Sequence, residues 1–225
     1  MTTRLNKYIA HTAGLSRREA DAAIEQGRVR VNNAPAEIGR QVEAGDIVML
    51  DDNVLSATHD YTYLMLHKPI GYVSSRREQG DTPTIYSLLP EAQHHLKPVG
   101  RLDKDSSGLI ILTDDGDFAH QMTHPKFYKT KVYEISLDKA LAPLHQQMIN
   151  DYGVHLEDGP SKLHLQKRDD TATKWQVTMH EGRNRQIRRT FDSLGYTVVA
   201  LHRTQFGPYS LTDVTSGKYI TIIKI

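Results

Sequence analysis

The sequence contains no cysteine and only one tryptophan among its 225 residues. Without cysteine the chain has no disulfide, no thiol nucleophile and no thiolate-bound zinc, so any nucleophile must be an oxygen or a nitrogen atom. It also lacks a run of about eighteen apolar residues, which argues against a membrane span, and its polar start lacks the apolar core of a signal peptide. We therefore expect a cytoplasmic protein that makes no contact with a membrane.

Charge is distributed unevenly along the chain, although the formal net charge is only +1. Residues 4–31 hold six basic and three acidic side chains, whereas residues 41–60 hold five acids and no lysine or arginine. Residues 182–203 hold five arginines and one aspartate. Two separated basic segments are typical of contact with nucleic acid, but solvated helix faces give the same pattern.

Two domains of unequal size are predicted. The length exceeds that of one average domain, and the acidic stretch at residues 51–60 shows neither helical nor strand periodicity. We place the boundary near residue 58, which gives a first domain over residues 1–58 and a second over residues 59–225.

The first domain shows the pattern of two short helices followed by a small sheet, with a turn pair at residues 32–33. Apolar residues recur at helical spacing from Leu5 to Thr12, and Ser16 with Glu19 three residues later predicts a capping box for the second helix. The helical phase leaves a group of basic side chains outside the apolar stripe, namely Arg4, Lys7, Arg17 and Arg18. These side chains are available to phosphates.

Strand patterns dominate the second domain, and one of them covers residues 196–201. Helical stretches are predicted at residues 117–122, 143–150 and 185–194, between segments that alternate or form short apolar runs. Because strands and helices mix without strict alternation, the pattern predicts an α+β fold with a mixed, mostly antiparallel sheet flanked by helices.

A loop bounded by glycines, residues 100–108, carries Asp103 directly into a buried strand. Such a loop can hold a carboxylate rigidly and partly out of water, although loop aspartates more often cap a turn. Asp105 lies in the same loop and raises the alternative of a glycoside hydrolase with paired carboxylates. That chemistry needs two carboxyl groups facing one bond, and nothing in the sequence places these two across a substrate.

Two further segments concentrate polar residues in apolar surroundings. The strand pattern at residues 131–137 places Tyr133 on the same face as Ile135 and Leu137, where tyrosine is more often part of a core than a catalyst. Residues 181–189 bring four arginines to the start of a helix. Arginines in such a cluster bind phosphate, neutralise a buried carboxylate or form a solvated face.

Together these segments resemble one family, the bacterial ribosomal-RNA pseudouridine synthases with an N-terminal alpha-L RNA-binding module, known as the RsuA, RluB and RluF group. Residues 100–110 match the family's signature loop, in which G-R-L-D precedes a Ser/Gly stretch and an apolar strand. The sequence also matches the family's lysine-x-tyrosine strand at residues 131–133 and its arginine-rich helix entry at residues 181–189. A lysine-proline-x-glycine element is matched at residues 68–71, and the alpha-L module at residues 4–9 and 16–20. The resemblance covers nearly the whole chain in order.

The resemblance implies an isomerase that converts uridine to pseudouridine in ribosomal RNA without a cofactor or metal. It assigns catalysis to Asp103 as the nucleophile, Arg188 as its ion-pair partner and Tyr133 against the flipped uracil. Leu102 and Ile187 are expected to form walls of the pocket. The residues predicted to contact RNA are Arg4, Lys7, Arg17, Arg18, Arg28, Lys68, Arg101, Arg183 and Arg185.

Two questions stay open from the sequence. A non-catalytic RNA-binding or ribosome-assembly factor with the same fold is the alternative, disfavoured because Asp103, Tyr133 and Arg188 are all present. We expect large-subunit 23S RNA as the target because the N-terminal module looks closest to RluF-like members, with small-subunit 16S RNA as the alternative. The RNA is expected to be free or in assembling ribosomal particles, and the enzyme is expected to act as a monomer.

Overall fold

The computed structural model describes residues 2–56, 60–76 and 80–225, and it divides the chain into two compact units, residues 1–61 and 62–225. The domain boundary predicted near residue 58 falls on residues 57–59, which lie outside the described residues, so it stays a prediction. The apolar side chains of each unit are buried in cores within that unit.

The first unit packs two helices and short antiparallel strands around one core. Its elements are β1 (Thr3–Arg4), α1 (Leu5–Thr12), α2 (Arg17–Glu25), β2 (Val29–Val31), β3 (Ala34–Pro35), β4 (Gln41–Val42), β5 (Val48–Leu50) and β6 (Asn53–Val54). Helix α2 begins with the predicted capping box, in which Ser16 and Glu19 each accept a hydrogen bond from the other's backbone amide. The box satisfies two amide groups that the helix would otherwise leave unpaired.

The hairpin between β2 and β3 turns at Asn32 and Asn33. Both asparagines adopt a left-handed backbone, with φ of 53° and 65°. Two-residue hairpins of this kind require positive φ at both central positions, which asparagine tolerates better than most residues. The turn fixes the register that buries Val29 and Val31 against the helices.

The second unit is built on a mixed sheet with helices beside it. Its elements are β7 (Tyr63–Lys68), β8 (Lys97–Pro98), β9 (Ser107–Thr113), α3 (Gly116–Thr123), β10 (Lys131–Leu137), α4 (Pro143–Gln147), β11 (Val154–Leu156), β12 (Gly159–Ser161), β13 (His164–Lys167), β14 (Lys174–Met179), α5 (Gln186–Asp192), β15 (Val198–Phe206), β16 (Tyr209–Ser210) and β17 (Tyr219–Thr221). The main sheet has the order β13-β14-β10-β15-β9-β7-β17, with β16 paired to β15 and β8 paired to β9. Within the described residues, β9 with β15 is the only parallel pair of this sheet, which confirms the predicted α+β class.

Strand β9 is buried on both faces of the sheet. Ile110 and Leu112 enter one core, Leu109 and Ile111 enter the other, and all four side chains have 0% exposure. Burial of one such side chain stabilises a fold by about 1.5–3 kcal/mol. The loop that carries Asp103 therefore runs directly into one of the most firmly held strands of the unit.

Two elements differ from their predicted limits, and both differences affect the site. Helix α5 begins at Gln186 and not at Arg185, because Arg185 has a left-handed backbone with φ 46° and ψ 31°. The strand predicted at residues 196–201 is β15, which runs from Val198 to Phe206, past a buried Arg203. The predicted strand is too short for two reasons. An arginine in the sequence suggests the end of a buried strand, and register shifts in the pairing of β15 with β10 disturb the alternation of buried and exposed residues.

The helix predicted at residues 143–150 is α-helical only through Gln147 and continues as a π-helical turn over Met148–Tyr152. The spacing of apolar residues could not distinguish an α-helix from a π-helical turn here, because either one can place Ile149 in the core. In the parts of the chain that the structure describes, no helix is long and apolar enough to cross a membrane.

Candidate active site

The segments singled out in the sequence line one open pocket of the second unit, with a volume of about 220 Å³. Its walls come from the loop before β9, from β10, from the entry to α5 and from β15. The pocket brings together the predicted residues Asp103, Tyr133, Arg188, Leu102 and Ile187. Leu102 and Ile187 are buried, with 6% and 3% exposure, so the pocket has apolar support beneath its polar rim.

The loop that carries Asp103 is held by its backbone. Ser74 Oγ donates to the Leu102 carbonyl at 2.8 Å and accepts from the Leu102 amide at 3.1 Å. The Ser106 amide donates to the Asp103 carbonyl at 3.1 Å, which closes a turn around the aspartate. The side chain of Asp103 is 37% exposed, so its carboxylate reaches solvent from a loop that is held in place.

Lys68, which the sequence predicts to contact RNA, lies beneath this loop with its ammonium group bonded to the protein. Its side chain has 0% exposure, and its Nζ donates to the carbonyls of Asp103 at 3.0 Å, Ser106 at 2.6 Å and Pro69 at 3.0 Å. Burial lowers the pKa of Lys68 to about 8, and the nearby carboxylates of Asp103 and Asp105 oppose that shift. The lysine therefore fixes the shape of the loop.

Two arginines form ion pairs with the carboxylates of this loop. Arg188 Nε lies 3.2 Å from Asp105 Oδ2, and its guanidinium also donates to the carbonyls of Asp105 at 2.9 Å and Val198 at 2.5 Å. The arginine that approaches Asp103 is Arg185, whose Nη1 lies 3.7 Å from the carboxylate. Arg188 is therefore paired most closely with Asp105, and its predicted role as the partner of Asp103 stays a prediction.

Asp105 joins the two arginines. Its carboxylate accepts hydrogen bonds from Arg185 at 3.2 to 3.3 Å. Burial would raise the pKa of Asp105, but the hydrogen bonds from Arg185 and the charges of Arg188 and Arg185 outweigh it, so the pKa lies below its ordinary value. Asp105 therefore holds both guanidinium groups in place next to Asp103.

Tyr133 lies on β10 with its ring on the pocket side. It is 8% exposed, and its strand alternates as predicted, with Ile135 and Leu137 buried on the same face. Its cross-strand neighbour on β15 is Arg203. The tyrosine is thus both packed in the core and accessible from the pocket.

Lys131, Arg203 and Phe206 also line the pocket and were not among the predicted site residues. The lysine-x-tyrosine match already contained Lys131. Arg203 and Phe206 lie in the part of β15 beyond its predicted end, where the buried residues do not alternate and gave no strand signal. A lysine and an arginine at 9% and 2% exposure are rare in a core and point to a function.

Arg183 is occupied by protein contacts. Its guanidinium donates to the Asp158 carboxylate at 2.8 Å and to the carbonyls of Asp158, Gly159 and Pro160 at 2.8 to 3.0 Å. It fastens the hairpin of β11 and β12, and its predicted contact with RNA stays a prediction. Arg101 lines the pocket and is exposed, and Arg185 is 44% exposed, so both can reach a bound chain.

The basic residues predicted to contact RNA in the first unit divide into two groups. Arg4, Arg17 and Arg18 are exposed, and Lys7 is partly exposed. Arg28 is paired with Asp51 through two hydrogen bonds of 2.8 and 2.5 Å, and this contact raises its pKa. The charge of Arg28 is therefore already neutralised within the protein.

Within residues 2–56, 60–76 and 80–225, no group of three or more histidine, aspartate or glutamate side chains is arranged to hold a metal ion. The pocket instead gathers one accessible carboxylate, a tyrosine and several arginines. A carboxylate, a phenol and guanidinium groups around one pocket, in a chain whose first unit exposes further arginines, suit an enzyme that acts on RNA.

Known proteins share this organisation. Residues 62–193 match the family described as RNA pseudouridylate synthase, and residues 3–48 match the S4 domain. The chain belongs to the RNA pseudouridylate synthase family and is a pseudouridine synthase. The predicted family and the predicted N-terminal module are confirmed.

Relatives match over nearly the full length. Ribosomal large subunit pseudouridine synthase B of Bacillus subtilis (strain 168) is 35% identical, over 95% of this chain and 89% of its own. Ribosomal small subunit pseudouridine synthase A of Pasteurella multocida (strain Pm70) is 38% identical, over 96% and 94%. A crystal structure of a pseudouridylate synthase, 34% identical, covers 98% of this chain and 96% of its own with a TM-score of 0.70.

Proposed function

We propose that this protein isomerises uridine to pseudouridine in ribosomal RNA and that the Asp103 carboxylate is the nucleophile. The observation that carries the assignment is the placement of Asp103: a rigid loop holds it at the pocket, 3.7 Å from Arg185 and 37% exposed. The names of the Bacillus and Pasteurella relatives support ribosomal RNA as the substrate class. Such a substrate would place the enzyme in the cytoplasm.

The reaction needs no atoms beyond those of the substrate and water. The bond between uracil N1 and ribose C1′ breaks, the base turns, and C5 bonds to C1′ while the C5 proton is lost and N1 gains one. Asp103 assists by bonding to C1′ of the sugar or to C6 of the base. Arg185 supplies the opposite charge beside the carboxylate, and Asp105 keeps that arginine in position.

The target base must leave its stack to enter the pocket, which costs a few kcal/mol. Leu102, Ile187 and the ring of Tyr133 offer it an apolar environment. Tyr133 is also our candidate for removal of the C5 proton, because it is the phenol among the pocket-lining residues. Arg188 acts through Asp105 and is assigned a positioning role.

The target RNA is best sought by mapping pseudouridines in both ribosomal RNAs. The map would be made by carbodiimide labelling and primer extension in cells with the gene, without it, and with Asp103→Asn in its place. We expect one uridine, or a small set, to lose its signal in the deletion and in the mutant alike.

The same map decides the subunit. A site in 23S RNA would agree with the large-subunit target predicted from the sequence, whereas a site in 16S RNA would contradict it. Signals retained at every position in the deletion strain would refute ribosomal RNA as the substrate.

We also propose that the exposed arginines of the first unit bind RNA phosphates. Replacing Arg4, Arg17 and Arg18 together with glutamine is expected to weaken binding to a ribosomal-RNA fragment. The slope of log affinity against log salt should fall by about 2, because each phosphate that an arginine neutralises on single-stranded RNA contributes about 0.7.

The matched control is Arg28→Gln, which removes a charge already paired with Asp51 and should leave the slope unchanged. An unchanged slope in the triple variant would show that this surface does not touch RNA.

A further inference from the structure

We propose that Lys131 and Arg203 form a cationic floor in the pocket that stabilises negative charge on the carbonyl oxygens of the uracil while its glycosidic bond is broken. The inference rests on the proposed function and adds two catalytic residues to it. The required ligand chemistry is a planar base that becomes anionic during the reaction.

The sheet brings these two side chains together with Tyr133. Tyr133 pairs with Arg203 across β10 and β15, and Lys131 lies two residues before Tyr133 on the same face. Residues opposite each other on neighbouring strands share a face of the sheet. Lys131 Nζ and the Arg203 guanidinium both lie over the ring of Phe206, at 5.6 and 4.8 Å from its centre. The three polar side chains therefore face the same part of the pocket.

The two cations are incompletely neutralised. Arg203 Nε donates to the Leu109 carbonyl at 2.7 Å, but its Nη2 is buried without a hydrogen-bond partner among the described residues. Lys131 Nζ donates to the Glu181 carbonyl at 3.1 Å, and the Glu181 carboxylate is itself engaged by Arg183 and Gln186. Burial and the charge of Arg203 lower the pKa of Lys131 to about 8, with the charge of Glu181 opposing them.

Two like charges held in a core reduce stability unless an opposite charge or good acceptors satisfy them. Lys131 remains mostly protonated at neutral pH with a pKa of about 8, so both charges persist. Such an arrangement is preorganised for an acceptor that enters the pocket. Fixed charges aimed at the site where a transition state becomes negative are the strongest form of electrostatic catalysis.

Because Lys131 and Arg203 are buried, a flipped base is a better acceptor for them than a backbone phosphate. Lys131 and Arg203 are 9% and 2% exposed, whereas Arg101 and Arg185 are exposed among the lining residues. A phosphate is strongly hydrated and belongs to a continuous chain, so it is held more readily by the exposed arginines. A flipped base can enter further and present its O2 and O4 atoms to the floor.

The chemistry supplies the negative charge by either route of attack. If a carboxylate oxygen of Asp103 bonds to C1′, the N1–C1′ bonding pair leaves with the base, which becomes a uracil anion. If the carboxylate adds to C6, the C5=C6 pair moves toward C5 and O4, giving an enolate. In the first route C5 bonds to C1′ as the C1′–O bond to Asp103 breaks and regenerates the carboxylate, after which the C5 proton leaves and N1 is protonated. In the second route the N1–C1′ bond breaks, C5 bonds to C1′ and N1 is protonated, and loss of the C5 proton then breaks the C6–O bond, which restores the C5=C6 double bond and the carboxylate.

The test compares a uridine substrate with one that carries 5-fluorouridine at the mapped target position. Fluorine withdraws electrons and stabilises the anionic base without help from the protein. Single-turnover rates would be measured at saturating RNA as loss of the N-linked nucleoside after digestion, together with RNA affinity.

The variants are Lys131→Met, which removes the charge, Lys131→Arg, which keeps it, and Arg203→Gln. Lys126→Met is the control, an exposed lysine of the segment that leads into β10.

On the uridine substrate, Lys131→Met should reduce the single-turnover rate by about 10²-fold, while the Kd for RNA changes by less than about twofold. On the 5-fluorouridine substrate, the same substitution should reduce the rate by about tenfold or less. Lys131→Arg should recover most of the rate, and Lys126→Met should match the wild type. Arg203→Gln should show the same dependence on fluorine, and if it does not fold, the two Lys131 variants carry the test.

Equal losses of rate on both substrates would overturn the proposal. A weaker affinity for RNA with an unchanged rate at saturation would also overturn it, because the two cations would then bind a phosphate and not the base. A wild-type enzyme that left the RNA unmodified would instead refute the proposed function.

Discussion

Asp103→Asn is expected to abolish pseudouridine formation while leaving RNA binding nearly intact. Asparagine has almost the same shape and can keep the loop contacts, but it cannot act as an anionic nucleophile. Loss of a nucleophile typically costs on the order of 10⁴-fold or more in rate. The measurement is tritium release from RNA labelled at uracil C5, because the C5 proton is lost when the carbon–carbon bond forms. Affinity for the same RNA would be measured in parallel.

Asp105→Asn is the matched control for this loss. Asp105 lies two residues further along the same loop and shares Arg185 with Asp103. Its replacement disturbs the arginines but keeps the nucleophile, so we expect a reduced rate with product still formed. An Asp103→Asn enzyme that retained activity, or an Asp105→Asn enzyme that lost it as completely, would contradict the assignment.

Gly108→Ala is expected to have the largest effect on folding. Gly108 has φ +110°, and a Cβ built on it would lie 2.2 Å from the Arg203 carbonyl oxygen and 2.5 Å from its nitrogen. These atoms belong to the backbone of β15, which is paired to β9 at this residue, so they cannot move aside without breaking the sheet. We expect a loss of about 4 kcal/mol or more in the free energy of unfolding. Chemical denaturation and the yield of soluble protein would measure it.

Gly116→Ala provides the control. Gly116 is the first residue of α3, and a Cβ there meets nothing within 4 Å. Alanine is also the better helix former, so stability should stay within about 0.5 kcal/mol of the wild type. If Gly108→Ala unfolded at the same denaturant concentration as Gly116→Ala, the close approach of β9 and β15 would be refuted.

The backbone contact at Gly108 also concerns the pocket. The same pairing of β9 with β15 positions Arg203, which lines the pocket and donates from Nε to the Leu109 carbonyl. A partly folded Gly108 variant should therefore lose activity with its tertiary structure. The glycine that ends the signature loop is thus explained by packing, independently of any contact with substrate.

Local features of this protein follow from the sequence alone. The capping box at Ser16, the asparagine turn, the Gly-bounded Asp103 loop and the alternation around Tyr133 depend on residues a few positions apart. Hydrogen bonds and steric preferences at that range act before tertiary contacts form, so the pattern of residue types suffices to predict them.

The partner of each charge, in contrast, depends on the tertiary fold. Arg185 rather than Arg188 approaches Asp103, Lys68 is buried under the loop, and Arg203 joins the pocket. These contacts join residues dozens of positions apart, and each depends on strand register and on the left-handed turn before α5. A shift of one residue in a strand turns a side chain to the other face of the sheet, so charge pairing follows from packing and cannot be predicted from residue types alone.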